Sequence, residues 1–190
     1  MVRFGDITAQ KIVELERFPL DAQWLIANAD PAVVAAEQPR MGEDFITPDG
    51  RLVIGVHSWL VRAGGLTILV DTCCGNNRER GTASPFHQLE TDYLGNLARA
   101  GVAPEEVDIV FCTHLHVDHV GWNMRQENGA FVPTFPNARY LMGEREYEHW
   151  EAEGDALQRV LAAMVSPGDA RAIVSALTSS LLGMSGDEVL

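Results

Sequence analysis

Three shortages narrow the reading of this chain before any motif is considered. Basic residues are scarce: 14 Lys and Arg stand against 27 Asp and Glu, a formal net charge of -13 over 190 residues. A nucleic-acid surface needs a basic stripe to neutralise phosphates, so this balance argues against such a partner. Long apolar runs are missing, and no uninterrupted stretch approaches the length of a membrane-spanning helix. No membrane partner is therefore expected. The opening residues, Met1-Val2-Arg3-Phe4-Gly5-Asp6, lack the apolar core of a secretory signal. Cysteine is also scarce. Cys73, Cys74 and Cys112 are odd in number and two are adjacent, which makes no disulfide framework. A reducing compartment fits best, and the expectation is a cytoplasmic protein. The sequence carries no internal repeat and no low-complexity tract, and it leaves the oligomeric state open.

What is present suits one globular domain. The chain is 46% hydrophobic and 22% charged, an ordinary balance, and is long enough for one substantial core. Residues 7–15 mix β-branched and polar types and predict a first strand. Residues 18–48 read as a long irregular segment with a short helix at 32–37. Residues 52–62 and 66–70 predict a hairpin turned by Ala63-Gly64-Gly65. Leu89, Tyr93 and Leu97 recur at helical spacing and lead to Gly101. Residues 107–112 predict a buried strand, so strand, helix and strand suggest a right-handed parallel crossover. Asn128-Gly129 predicts a hairpin turn. A strand over 138–142 and a helix beginning over 144–150 follow. Beyond them, apolar stripes at 156–164 and 173–181 predict two helices.

The most informative stretch is Thr113-His114-Leu115-His116-Val117-Asp118-His119, which holds three of the six histidines. It begins where the predicted strand 107–112 ends, the place where open α/β sheets gather ligand sites. Imidazole and carboxylate are ligands for zinc and similar divalent cations. If strand geometry persists, His114 and His116 point to one side. Asp118 and His119 are adjacent, so they diverge and can face a second point. The cluster could seed two metal subsites, at which water ionises near neutral pH to give a hydroxide nucleophile.

This motif, followed by Val120-Gly121-Trp122-Asn123, resembles the signature of the metallo-β-lactamase fold superfamily. The segment Ile68-Leu69-Val70-Asp71-Thr72 is similar to that family's strand ending in an aspartate. Residues 57–62, Phe135-Pro136-Asn137-Ala138 and Glu146-Tyr147 resemble its flanking segments. The branch it is most similar to holds hydrolases of the lactonase and methyl-parathion-hydrolase type. The resemblance implies an α/β (α+β) fold of the αββα sandwich type. It implies that His114 and His116 ligate a first metal and Asp118 and His119 a second. It implies that Asp118 also acts catalytically by protonating the leaving group, and that Asp71 orients a ligand from behind.

The family's site also needs a third histidine for the first metal, a bridging aspartate and a final histidine for the second. All lie downstream of the segment matching Trp150, and this chain has no histidine after His149. The expectation is therefore an incomplete sandwich: residues 1–150 as the superfamily-like N-terminal half and 151–190 as an atypical helical tail. The other candidate donors have plainer readings. His57 packs within a strand, His87 is an exposed loop histidine, and His149 is solvated on a helix. Cys73 and Cys74 are turn residues, Cys112 is core and Trp59 packs on the sheet. For Trp122 and Asn123, a pocket wall and ordinary packing are both open.

The expected function is metal-dependent hydrolysis of an ester, lactone or phosphotriester through metal-bound hydroxide. The cofactor would be zinc, as one or two divalent ions, with manganese or iron able to replace it, and the partner a small-molecule substrate. One alternative is a truncated or diverged member that binds metal weakly without turnover. Another is an iron-dependent oxidoreductase on the same scaffold.

Overall fold

A computed structural model describes residues 1–153 of the chain. Its frame is one six-stranded sheet. Strands β1 (Val2–Phe4) and β2 (Ile7–Leu20) form the first antiparallel pair. β3 (Leu52–Ala63) and β4 (Leu66–Val70) extend it as the predicted hairpin, with Gly64 and Gly65 both at positive φ in the turn. Helix α3 (Tyr93–Arg99) then carries the chain to β5 (Ile109–Phe111), which lies parallel to β4. This is the crossover that the sequence predicts. β8 (Arg139–Leu141) adds on parallel to β5, so the sheet runs β1-β2-β3-β4-β5-β8. A separate hairpin pairs β6 (Met124–Glu127) with β7 (Ala130–Pro133) around Asn128-Gly129. Both turn residues have positive φ, as a tight two-residue turn demands. Helix α4 (Glu144–Glu153) closes the described region.

The long segment read as irregular is more ordered than expected. β2 continues to Leu20, past the predicted end at 15. Register shifts between Val13 and Leu15 and between Leu15 and Phe18 break the alternation that sequence reading relies on. Two helices follow, α1 (Ala22–Leu25) and α2 (Pro31–Met41). Asp30 caps α2 by accepting from the Ala32 N–H at 2.9 Å, with Pro31 in the first turn. No residue of α2 is buried, which is why no apolar stripe marked its full length. β5 is shorter than the predicted strand, although Val107 and Cys112 on either side of it are buried. The stripes at 156–164 and 173–181, and with them most of the expected tail, lie outside the described residues.

The core lies between α3 and one face of the sheet. Val56, Ser58 and Leu60 alternate inward along β3, while Trp59 between them is exposed. Tyr93 and Leu97 of α3 are fully buried against this face. Each apolar side chain buried there stabilises the fold by roughly 1.5–3 kcal/mol. Two polar contacts fix the helix in register. The Tyr93 and Ser58 hydroxyls lie 2.6 Å apart, and the Asn96 amide donates to the Val13 carbonyl at 2.8 Å. Among the described residues, no helix is long and apolar enough to cross a membrane.

Candidate metal centre

The site is assembled where β4 and β5 end side by side. β4 stops at Val70, and Asp71 takes a left-handed conformation at φ 58°. Its N–H donates to the Phe111 carbonyl at 2.8 Å, which anchors the residue to the end of β5. The Asp71 carboxylate then accepts from the Thr113 N–H at 2.8 Å and from the Thr113 hydroxyl at 2.8–3.0 Å. On its other side it lies 2.9 Å from His119 Nδ1. One strand-end aspartate thus holds both ends of the histidine motif.

Strand geometry does not persist through that motif, as the alternation argument assumed. β5 ends at Phe111, and the chain curls so that the His119 N–H donates to the His116 carbonyl at 3.0 Å. The curl still gathers the rings. The centroids of His114 and His116 lie 4.6 Å apart, and those of His114 and His119 3.8 Å apart. His119 Nε2 lies 3.5 Å from the Asp118 carboxylate. His116 is exposed, while His114, Asp118 and His119 are half-buried, so the cluster opens to solvent.

Electrostatics divide the histidines. Burial, then the neighbouring His119 and His116, holds His114 below the usual imidazole range and so in its neutral, lone-pair form. Burial would also lower His119, but hydrogen bonds to Asp118 and Asp71 outweigh it and raise that ring to about 9. Burial pushes Asp118 upward, yet the hydrogen bond and charge of His119 dominate, and its carboxyl sits below the usual range.

Two closely packed loops support the cluster. The Thr72 N–H donates to the His119 carbonyl at 2.7 Å, and the Gly121 N–H to the Cys73 carbonyl at 2.7 Å. Beneath them lies Glu14, a buried carboxylate on β2. It accepts from the Cys74 N–H at 2.7 Å, the Gly75 N–H at 3.1 Å, the Thr91 hydroxyl at 3.2 Å and the Trp122 indole at 2.6 Å. Sequence reading missed Glu14. The available signal was parity, because Glu14 shares its strand face with the buried Ile12.

The remaining candidates fall away from the centre. His57 sits edge-on to Trp59, half-buried on the sheet, consistent with packing. Trp59 itself lies on the exposed side, with the Lys11 ammonium over its ring. His87 is not the exposed loop residue expected: it is half-buried and accepts from the Arg80 N–H at 3.2 Å. His149 is exposed on α4. Burial pushes the Cys73 and Cys74 thiols well above their usual range and Cys112 up to about 12, so none offers a ready thiolate. Trp122 is buried and stacked on Tyr93 at 5.4 Å, which makes it packing rather than pocket wall.

The donor chemistry suits a divalent cation. Imidazoles and a carboxylate are gathered at one mouth, and Asp71 takes up the Nδ1 side of His119 and leaves Nε2 toward Asp118. The set is open, however. Among the described residues, no three His, Cys, Asp or Glu side chains form a group that could hold a metal ion.

Comparison with known proteins gives a consistent picture. The family described as the metallo-beta-lactamase superfamily matches residues 51–180. The N-acyl homoserine lactonase AiiB of Agrobacterium fabrum is 28% identical over 149 residues, covering 72% of this chain and 47% of the relative. The lactonase of the same name from Rhizobium rhizogenes is 26% identical over the same coverage. The chain thus spans about half the length of the curated relatives it matches. Among solved structures, the dizinc quorum-quenching lactonase AidC superposes with a TM-score of 0.63 at 19% identity, covering 93% of this chain and 55% of that one. The hydrolase AbOPH superposes with a TM-score of 0.62 at 22% identity, covering 90% and 58%. At these identities the likeness is one of fold.

Proposed function

The chain belongs to the metallo-beta-lactamase superfamily, and from that premise we propose that it is a metal-dependent hydrolase of esters, lactones or phosphotriesters. In this reading His114 and His116 hold one divalent cation, zinc first among the candidates, and Asp118 and His119 hold a second. Asp71 orients His119. Bound there, such a cation supplies Lewis acidity toward the scissile carbonyl or phosphoryl oxygen and acidifies water at neutral pH.

The chain's own groups then have defined tasks. His114, held neutral, presents a lone pair. Asp71 accepts the Nδ1 proton of His119 and so fixes the tautomer that leaves Nε2 for binding. Asp118, held ionised, takes the proton released as water attacks and returns it to the leaving oxygen. A lactone is the favoured substrate class, because the curated relatives are lactonases by name.

The observation that carries this reading is the Asp71 clamp, which ties Thr113 at the start of the histidine motif to His119 at its end. The test is metal content and turnover of the purified chain supplied with zinc, manganese or iron. The expected result is bound metal and hydrolysis of a lactone or ester that His116→Ala abolishes. Retention of no metal under any supplement would overturn it.

A second reading, a member that binds metal weakly without turnover, draws support from the open donor set among the described residues. Turnover lost on His116→Ala refutes it.

A further inference from the structure

The backbone between the two paired histidines is held from outside the motif. Glu146, in the first turn of α4, reaches across to accept from the Leu115 N–H at 2.9 Å. Leu115 lies between His114 and His116, and its side chain is buried, so its amide sits at the centre of the arm that carries both rings. The same Glu146 oxygen, Oε1, also accepts from the Trp150 indole N–H at 2.8 Å. The four-residue spacing puts Glu146 and Trp150 on one face of α4. The Trp150 ring in turn stands edge-on to His116, with centroids 5.7 Å apart. Glu146, Trp150, His116 and the Leu115 amide therefore close a ring of contacts around the histidine arm.

A carboxylate in the first turn of a helix favours the helix dipole, and that alone would account for an acidic residue here. It does not account for one carboxylate oxygen shared between a loop amide and an indole on the next turn. Nor does it account for that indole meeting a histidine of the motif.

We propose that Glu146 and Trp150 are positioning residues for the candidate metal centre. Glu146 fixes the backbone of the His114-Leu115-His116 arm, and Trp150 sets the plane of the His116 ring. The inference deepens the proposed function and rests on it for the identity of the site. Neither residue touches the reacting atoms. Their effect is to present two imidazoles already arranged, so that binding a cation does not have to order them.

The test has two arms on the full chain. In metal-free protein, hydrogen exchange at the Leu115 amide is compared among wild type, Glu146→Ala and Glu146→Gln. Glu146→Ala is expected to speed exchange roughly fivefold or more, the effect of losing one hydrogen bond. Glu146→Gln keeps an acceptor and is expected to stay close to wild type. Glu146→Met, which keeps chain length without an acceptor, takes the place of the alanine variant should that one not fold. In the second arm, zinc is titrated against a competing chelator while indole fluorescence is followed. Removing the acceptor is expected to weaken zinc affinity about tenfold or more, with rescue in Glu146→Gln. Zinc is expected to change the fluorescence in wild type, and Trp150→Phe to abolish that change.

Equal Leu115 exchange in wild type and the acceptor-free variant overturns the inference. So does a Glu146→Gln variant as impaired as the alanine one, and so does a zinc-binding wild type whose Trp150 fluorescence does not respond. If wild type takes up neither zinc nor manganese nor iron, the proposed function fails by itself, and the metal-free exchange arm still decides whether Glu146 holds the arm.

Discussion

Asp71 Oδ2 lies 2.9 Å from His119 Nδ1, across the gap between the ends of β4 and β5. In the metal-free protein this contact, with that from Asp118, raises His119 from 6.5 to about 9, against the opposing effect of burial. A group raised on folding stabilises the folded state fully below its unfolded pKa, and that stability is lost as pH rises through the folded value. Stability of the metal-free protein should therefore fall between pH 6.5 and about 9. Urea denaturation across this window checks it. His119→Gln and Asp71→Asn should flatten the profile, and a flat wild-type profile would refute the assignment. Because zinc must displace the same proton, apparent zinc affinity should rise over that window.

Glu14 gives a prediction about stability. Its carboxylate receives the Cys74 and Gly75 amides, the Thr91 hydroxyl and the Trp122 indole in a buried site. Glu14→Ala strands these donors and opens a cavity. The expected loss is about 3–5 kcal/mol by urea denaturation. Glu14→Gln, which keeps the volume and one acceptor, should lose less. An alanine variant within about 1 kcal/mol of wild type would show that water serves these donors as well as the carboxylate does.

The difference between Glu14 and His114 explains how much was legible beforehand. His114, His116, Asp118 and His119 stand within six positions beyond an apolar run, so local spacing was enough to single them out. The β3–β4 hairpin, the β4–α3–β5 crossover and the Asn128-Gly129 turn were legible for the same reason, each being written in adjacent residues. Glu14 acts on partners 60 to 108 positions away, and nothing near it announces them. Glu146 reaches Leu115 across 31 positions. The β2 extension was hidden by its register shifts, and the full length of α2 beyond the expected helix at 32–37 by a surface with no buried stripe. The curl after Phe111 is not legible in the motif, which leaves open whether strand geometry persists, because only the hydrogen bond from His119 to His116 reveals it.

Gly121 gives a steric prediction. A Cβ on it would lie 1.8 Å from the Cys74 carbonyl oxygen, a backbone atom that cannot step aside. This close approach brings the loop after β4 against the loop after the histidines, where the Gly121 N–H reaches the Cys73 carbonyl. Gly121→Ala should therefore part the loops, destabilise the fold by about 3 kcal/mol or more, and weaken zinc binding with it. Gly129→Ala is a control for glycine loss at a hairpin turn with nothing within 4 Å, where only the positive φ is strained. It should leave zinc binding unchanged.

Zinc itself can assign the ligands without any turnover assay. A cation that binds only the folded chain stabilises it by an amount that grows with concentration, about 2.7 kcal/mol at a hundred times the dissociation constant. The melting temperature of wild type should therefore climb with added zinc, and a chelator should reverse the climb. Alanine at His114, His116, Asp118 or His119 should each blunt the response, since each removes a donor from one subsite. Alanine at His149 should not, because that ring is exposed on α4. His87→Gln should not either, because His87 is engaged with the Arg80 amide. If the His149 or His87 variant blunts the response as strongly as His116→Ala, the cation sits elsewhere and the assignment to the 114–119 motif is wrong. If Asp118 and His119 variants leave the response intact while His114 and His116 variants remove it, the chain binds a single ion at the first subsite. Catalysis would then have to proceed with Asp118 free to carry the proton.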